Sequence, residues 1–358
     1  MIKSMDNLRN KKSTLSGRGA GNNPAGRFEK IDYIPDPCDA AEKIAPQTQF
    51  YQDSTRSIIA YNNSPDIPFD AGVNPYRGCE HGCIYCYARP THEYLGLSAG
   101  LDFETKIFVK KDAPALLRKA LMSPNWKPQP IALSGITDPY QPAEKHFRLT
   151  RQCLEILADF RNPVGVITKN QLVTRDIDVL QKLAAVDAVK VAISITTLNA
   201  MLARRMEPRT SSPTRRLAAI RKLSDAGIPI GVMTAPVIPG LNDHEIPRII
   251  EKATEAGAQF AGYVMLRLPH GVKNLFENWL ERYYPDRKEK VLNRIRDTRD
   301  GDLNNSNFHE RMRGNGLFAA HVRDIFHLSC RKAGIDKKTA ALSTVAFRRP
   351  GAEQLCLF

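Results

Sequence analysis

The run Asn74-Pro75-Tyr76-Arg77-Gly78-Cys79-Glu80-His81-Gly82-Cys83-Ile84-Tyr85-Cys86-Tyr87-Ala88 sets three cysteines at C-x3-C-x2-C. That spacing lets one loop wrap a small inorganic body. Cubane iron–sulfur clusters are normally held by four thiolates. Three leave one iron with an open position, as catalytic metal sites generally have. Gly78 and Gly82 suit a chain turned tightly round such a cluster, where backbone without a Cβ is needed. No fourth cysteine lies close by: Cys153, Cys330 and Cys356 are distant and sit in amphipathic or terminal contexts. Zinc stays open on ligand count, because His81 and His92 are near enough in sequence to complete a tetrahedral set.

At 358 residues the chain can hold one barrel-sized domain with appendages and bury a sizeable core. Lys plus Arg number 52 against 38 Asp plus Glu, a formal charge of +14. Such an excess favours a polyanionic partner through counterion release and steering. A solvated basic surface is the plain alternative. No apolar run approaches membrane-spanning length, and Met1 opens a polar segment rather than a signal peptide. The cysteine count is odd, with three thiols committed to one loop, which argues for a reducing cytoplasm over a disulfide framework.

From Val73 onward, short apolar runs alternate with amphipathic stretches. Strands are predicted at 106–109, 130–134, 164–168, 189–195, 229–235 and 260–266. Helices are predicted at 113–122, 143–160, 174–185, 213–226 and 243–256, with Gly227 and Gly257 standing where helices stop. This βαβα rhythm means parallel strands under covering helices. Near six units fit an α/β fold of the partial (β/α)6 barrel type; a closed (β/α)8 barrel needs more strands. The barrel is expected over 71–275. Residues 1–70, where Lys11, Lys12, Arg18 and Arg27 are spread among Ser, Gly, Asn and Pro, read as a flexible basic N-terminal extension. Residues 276–350 read as a helical basic C-terminal region, with helices near 288–299 and 317–333, followed by a tail over 351–358.

The cysteine loop resembles that of the radical S-adenosylmethionine enzymes, whose signature is C-x3-C-x-aromatic-C. Cys79, Cys83, Tyr85 and Cys86 match it position by position. The resemblance implies a [4Fe-4S] cluster held by Cys79, Cys83 and Cys86, with S-adenosyl-L-methionine chelated to the open iron. It implies that the reduced cluster breaks the sulfonium bond and frees a 5′-deoxyadenosyl radical. Polar residues follow each predicted strand, at 134–141, 168–170, 194–197, 206–209 and 234–243. Over 73–270 this set is similar to the spore photoproduct lyase branch of the family. Carried across, Lys169 and Ser194 would meet the cofactor's carboxylate end, and Tyr85 would set the adenine through its backbone. Thr137 and Asp138 would meet the amine or ribose. Glu207 and Arg209 could face the cofactor, the substrate or only each other.

One departure matters. Spore photoproduct lyases carry a hydrogen-donating cysteine just before a Ser-Asp pair at the second strand end. Here Ser134-Gly135-Ile136-Thr137-Asp138 has none, so thymine-dimer repair by that relay is not expected. A tyrosine can quench a radical, and Tyr87 is the catalytic candidate for that role. Cys153 lies in an amphipathic run and reads as a packing residue.

The chain ends Gln354-Leu355-Cys356-Leu357-Phe358, which resembles the pentapeptide Gln-Leu-x-Leu-Phe used to hold the bacterial sliding clamp. Leu355, Leu357 and Phe358 would fill an apolar pocket while the Gln354 amide bonds at its rim. Each buried side chain offers roughly 1.5–3 kcal/mol before ordering costs. The expectation is a cytoplasmic radical enzyme acting on DNA, with the sliding clamp and an electron donor such as flavodoxin or ferredoxin as partners. Two rivals stand beside it. One runs the same mechanism on RNA or protein. The other is an iron–sulfur nucleic-acid-binding or redox-sensing protein without turnover.

Overall fold

The computed structural model describes residues 17–29, 46–335 and 341–351. In chain order its strands are β1 (Gln49–Gln52), β2 (Ile59–Tyr61), β3 (Ala71–Val73), β4 (Tyr76–Arg77), β5 (Lys106–Val109), β6 (Ile131–Leu133), β7 (Val164–Thr168), β8 (Val189–Ser194), β9 (Ile230–Val237) and β10 (Phe260–Met265). Seven of them form one sheet in the order β10-β9-β8-β7-β6-β3-β2. β3 and β6 to β10 run parallel, and β2 is antiparallel at the edge. The inner strands are rich in buried Val and Ile, as parallel strands covered on both faces must be. Helices Ala113–Met122, Leu149–Phe160, Ile177–Ala184, Pro213–Asp225 and Ile246–Glu255 alternate with these strands. Leu117, Leu157, Leu180, Ile220 and Ile249 lie with the sheet in one continuous core. This is the partial six-stranded α/β architecture that the periodicity predicts.

The first barrel strand is not the expected one. Residues 106–109 form β5, which pairs with β1 and β4 in a separate three-stranded sheet. The barrel opens instead with β3, in register with β6 from Ala71 opposite Ile131 to Val73 opposite Leu133. Three residues with a central glycine carry too little alternation to be read as a strand; pairing with β6 makes them one.

The described part of the N-terminal stretch is built into the fold, unlike the loose extension expected there. β1 and β2 each join a sheet, Ile58 and Ile59 enter the main core, and Ala20 is buried. The helix expected over 143–160 breaks at Arg148, whose φ is 53°, into Glu144–Phe147 and Leu149–Phe160. The buried Glu144 carboxylate causes the break. It accepts the N–H groups of Thr150 (3.0 Å) and Arg151 (3.3 Å), doing the work of an N-cap for the second helix.

The expected boundary between 275 and 276 falls inside a helix, Val272–Tyr283, that the sequence reading did not separate. Its Leu275, Phe276, Trp279 and Leu280 share a cluster with Cys83, Ile84 and Tyr85, so the C-terminal region buttresses the cysteine loop. Helices Lys288–Asp297 and Gly316–Ala333 lie close to their predicted positions.

Candidate functional site at the strand ends

Because the six barrel strands are parallel, their C-terminal ends share one side, where sites of such folds gather. β3 leads through β4 into the cysteine loop on that side. Cys79 and Cys83 are buried, Cys86 is half-buried, and all three are free. Gly78 and Gly82 hold φ of 77° and 65°, the left-handed region that favours glycine. A Cβ on Gly78 would stand 2.8 Å from a His92 ring carbon, and one on Gly82 would stand 2.6 Å from a Glu104 carboxylate oxygen.

Three anchors keep the loop in this path. The buried Arg89 guanidinium donates to the carbonyls of Cys83 (2.9 Å), Ala99 (3.1 Å) and Gly100 (2.9 Å), and to Glu104 (2.6 Å). Glu104 also accepts the N–H groups of Gly19 (2.9 Å) and Ala20 (2.8 Å), which seats the N-terminal segment against the loop. Gln141, past the end of β6, accepts from the Glu80 N–H (3.0 Å) and donates to the Gly78 carbonyl (3.1 Å). His81 lies between the strand ends, with Nε2 3.2 Å from the Asn170 amide and Nδ1 3.4 Å from Asp138.

Asp138 accepts from the Thr168 hydroxyl (2.6 Å), the Lys169 N–H (2.8 Å) and the Tyr140 N–H (2.9 Å). Burial alone would raise its carboxyl, but His81 and these donors hold it below the usual range. The Thr137 N–H meets the Asn74 side chain at 3.2 Å, tying the end of β6 to the base of the loop. Lys169 donates to the Ala235 carbonyl at 3.2 Å, and its Nζ lies 6.0 Å from the centre of the Tyr85 ring. Burial pushes the Cys83 and Cys86 thiols up. At Cys86 the Arg89 charge works against that first, with the backbone groups of Ala88 and Arg89, and the Lys169 charge does so at both. Metal coordination deprotonates a thiol outright, so three free thiols, two buried and one half-buried, with Lys169 acting on Cys83 and Cys86, fit a thiolate-bound cluster.

Ser194 is buried at the end of β8, and its carbonyl accepts from Arg216 at 2.9 Å. Of the alternatives left open for Glu207 and Arg209, the mutual pair is not formed. Glu207 forms a buried ion pair with Arg216 and accepts from the hydroxyls of Thr196 (2.6 Å) and Tyr85. Burial opposes ionisation of Glu207, yet Arg216 and Lys169 outweigh it and bring the carboxyl down to about 2. Arg209 turns away and pairs with Glu80 at 3.0 Å. The Tyr85 side chain is therefore a tether of the loop. The Tyr87 ring is 46% exposed, its hydroxyl donates to the Gly135 carbonyl, and the Arg267 guanidinium lies 5.0 Å from its centre.

The zinc alternative is left without a gathered ligand set among the described residues. His81 is engaged at both ring nitrogens, by Asn170 and Asp138, while His92 turns Nε2 to the Lys106 carbonyl at 2.9 Å and keeps a buried Nδ1 without a partner among those residues. Among the described residues no three His, Cys, Asp or Glu side chains gather as the ligands of one ion would. A cubane differs in that each thiolate binds its own iron. Cys153 is fully buried in the main core, a packing position. The sequence reading missed Arg89, Glu104, Arg216 and Arg267, and it placed Gln141 in the strand-end stretch 134–141 without its role. Arginines in amphipathic runs look like surface residues, and no local signal marks them as buried. Residues 352–358, with the terminal pentapeptide, lie outside the described residues.

The model of the Radical SAM superfamily matches residues 73–253, and the chain belongs to that family. Its members use a [4Fe-4S] cluster and S-adenosylmethionine as cofactors. An uncharacterized protein of Mycobacterium tuberculosis (strain H37Rv) is 38% identical over 226 residues, covering 63% of this chain and 66% of its own length. An uncharacterized protein of Methanocaldococcus jannaschii is 29% identical over 222 residues, covering 62% of this chain and 79% of the relative. The chain thus spans just under two thirds of the mycobacterial protein. Among solved structures, spore photoproduct lyase complexed with dinucleoside spore photoproduct is similar with a TM-score of 0.58 at 17% identity, over 80% of both chains. A mutant of that enzyme with bound AdoMet and the dinucleoside gives 0.57 at 16%, again over 80% of both chains. At such identity the likeness shows the fold.

Proposed function

We propose that this chain cleaves S-adenosylmethionine reductively to start radical chemistry on DNA. The observation that carries this reading is the loop bearing Cys79, Cys83 and Cys86. Its three thiols are free, and Lys169 and Asp138 stand beside it at the strand ends. Those cysteines would hold the [4Fe-4S] cluster. With cluster and cofactor bound, the site would supply one-electron reductive cleavage of the cofactor's sulfonium C–S bond, the electron coming from the reduced cluster, to methionine and a 5′-deoxyadenosyl radical. Lys169 acts as a mobile point charge on the cofactor's carboxylate, with Ser194 beside it. Asp138, held ionised by His81 and three hydrogen-bond donors, would meet the cofactor's amine or ribose by exchanging one of these partners, and Thr137 shares that end of the site. Tyr85 sets the adenine through its backbone. Tyr87 is the exposed tyrosine of the pair and the candidate for passing a hydrogen atom.

Three things support DNA as the substrate: the +14 charge, the dinucleoside lesion bound by a protein of similar fold, and the terminal pentapeptide. The reaction differs from that relative's relay, since 134–138 contains no cysteine. Gln354, Leu355, Leu357 and Phe358 engage the bacterial sliding clamp, and a flavodoxin or ferredoxin supplies the electron in the cytoplasm. No helix of the described residues is long and apolar enough to cross a membrane.

Anaerobic reconstitution with iron and sulfide, chemical reduction and chromatography for 5′-deoxyadenosine test the chemistry. Plain, modified and damaged DNA are run beside RNA. Cys79→Ala, Cys83→Ala and Cys86→Ala should each remove the product, and cleavage that persists refutes their assignment. Removing the last five residues should abolish capture on immobilised clamp while 5′-deoxyadenosine still forms. Clamp binding that survives the deletion ends the tail hypothesis.

A further inference from the structure

The larger sheet is open, with β10 at one edge and β2 at the other. Residues 304–313 cross between those edges. On the β10 side, the Met265 N–H donates to the Met312 carbonyl (2.9 Å), and the Leu268 N–H donates to Asn304 (3.2 Å). Arg313 donates to the Tyr263 carbonyl (3.1 Å). On the other side, Asp66 in the connection from β2 to β3 accepts from the His309 N–H (2.6 Å) and from Arg311, which also reaches Ser64. The segment is a strap joining the two ends of an unclosed barrel.

Behind this strap stands Arg267, two residues past β10. Its guanidinium faces the Tyr87 ring at 5.0 Å. One terminal nitrogen is 3.5 Å from the Met312 sulfur, a weak acceptor, and Nε is buried with no partner. No carboxylate of the described residues forms an ion pair with it; Asp66 is engaged by Arg311 and His309. Burial is the largest influence and disfavours its charged form; Arg311 adds repulsion, and Tyr87 and Asp66 offset only part of this. A cation–π contact does not satisfy guanidinium N–H groups. A half-buried guanidinium without a direct ion-pair partner is unfavourable on its own, and it becomes favourable when a ligand brings the anion into contact.

We propose that Arg267, walled by the 304–313 strap and by Tyr87, binds a phosphodiester phosphate of the substrate strand and so sets the reacting nucleotide at the barrel mouth. This rests on the nucleic-acid reading above and adds the contact residue. The planar fork of arginine pairs with two phosphate oxygens at once, which a lysine does not reproduce. Tyr87 is the neighbour that reaches toward β6, through the Gly135 carbonyl. A phosphate on Arg267 would therefore hold its nucleotide between the first and last parts of the site.

The test is fluorescence anisotropy of a labelled single-stranded DNA oligonucleotide with the full, cluster-reconstituted chain, titrated across salt from about 50 to 200 mM. Each phosphate contact adds about 0.7 to the steepness of log K against log salt on a single strand. Arg267→Gln should bind more weakly with a slope shallower by about 0.7, so its affinity falls ~2.6-fold less than wild type across that range. Arg118→Gln, on an outer helix and paired with Asp159, should keep the wild-type slope. Arg267→Lys should keep the slope and lose affinity, and it carries the test if the glutamine variant melts early. Wild-type slope and affinity in Arg267→Gln, or wild-type affinity in Arg267→Lys, overturn the proposal. Wild-type protein that binds no DNA overturns the nucleic-acid reading itself.

Discussion

Replacing Glu207 with glutamine tests the buried pair beneath the cysteine loop. The two partners, Glu207 and Arg216, have side chains 0% and 1% exposed. Arg216 also donates to the carbonyls of Ser194 (2.9 Å) and Ser211 (2.8 Å) and to Thr210 (2.6 Å), so it cannot swing out to water without breaking all three. Glutamine preserves the shape and removes the charge, leaving the guanidinium uncompensated. Breaking a buried pair from one side costs about 3–5 kcal/mol. The carboxyl itself gives a similar figure: a pKa lowered from 4.5 to about 2 contributes about 3 kcal/mol at neutral pH. Since the folded value lies below the unfolded one, this contribution is complete above pH 4.5 and is lost as the pH falls through about 2. Urea denaturation at pH 7 should show the full loss in Glu207→Gln. At about pH 3 the gap between variant and wild type should shrink to roughly half. A variant as stable as wild type at pH 7, or a gap that does not change with pH, would refute this account of the pair.

Gly19→Ala places a Cβ 1.7 Å from the Gly82 carbonyl oxygen, so the N-terminal segment must lift from the loop. We expect a loss of roughly 1–3 kcal/mol and faster proteolysis before residue 46, read by denaturation and limited digestion. Lys169→Met should weaken S-adenosylmethionine binding about 10- to 100-fold, the range for losing one charge-assisted hydrogen bond. Equilibrium dialysis against the reconstituted protein measures it, and unchanged affinity removes Lys169 from the cofactor. Cys153→Ser buries a hydroxyl in the main core and should destabilise the fold by about 1–3 kcal/mol. Formation of 5′-deoxyadenosine should persist in that variant, because Cys153 lies in the core and not at the strand ends.

The cysteine loop was legible because its pattern is local: thiols that are to share one cluster must keep a short spacing, and Gly78 before them and Gly82 among them follow from the turn. The order of strands and helices was legible for the same kind of reason, since burial on one or two faces imposes a period. The hydrogen bonds that hold the loop in place were not. Arg89 with Glu104 joins residues 15 apart, Arg77 with Asp53 joins residues 24 apart, and Gln141 reaches back to Gly78 across 63. Nothing in the neighbourhood of Gln141 marks it as the residue that caps the loop. The exchange of β5 for β3 as the first barrel strand has the same origin. The alternation of Lys106–Val109 suits an edge sheet as well as a barrel, and only the available partner decides.

By itself, then, the sequence determined the α/β class, the three-cysteine loop and the side of the sheet on which chemistry should lie. Each of these depends on residues close together in the chain. Tertiary structure alone decided that Glu207 belongs to Arg216 and Arg209 to Glu80. It also decided that residues 304–313 bridge an open sheet and that Arg267 stands beside Tyr87. Charged side chains choose partners by distance and by the water they lose, and neither is defined until the chain has folded.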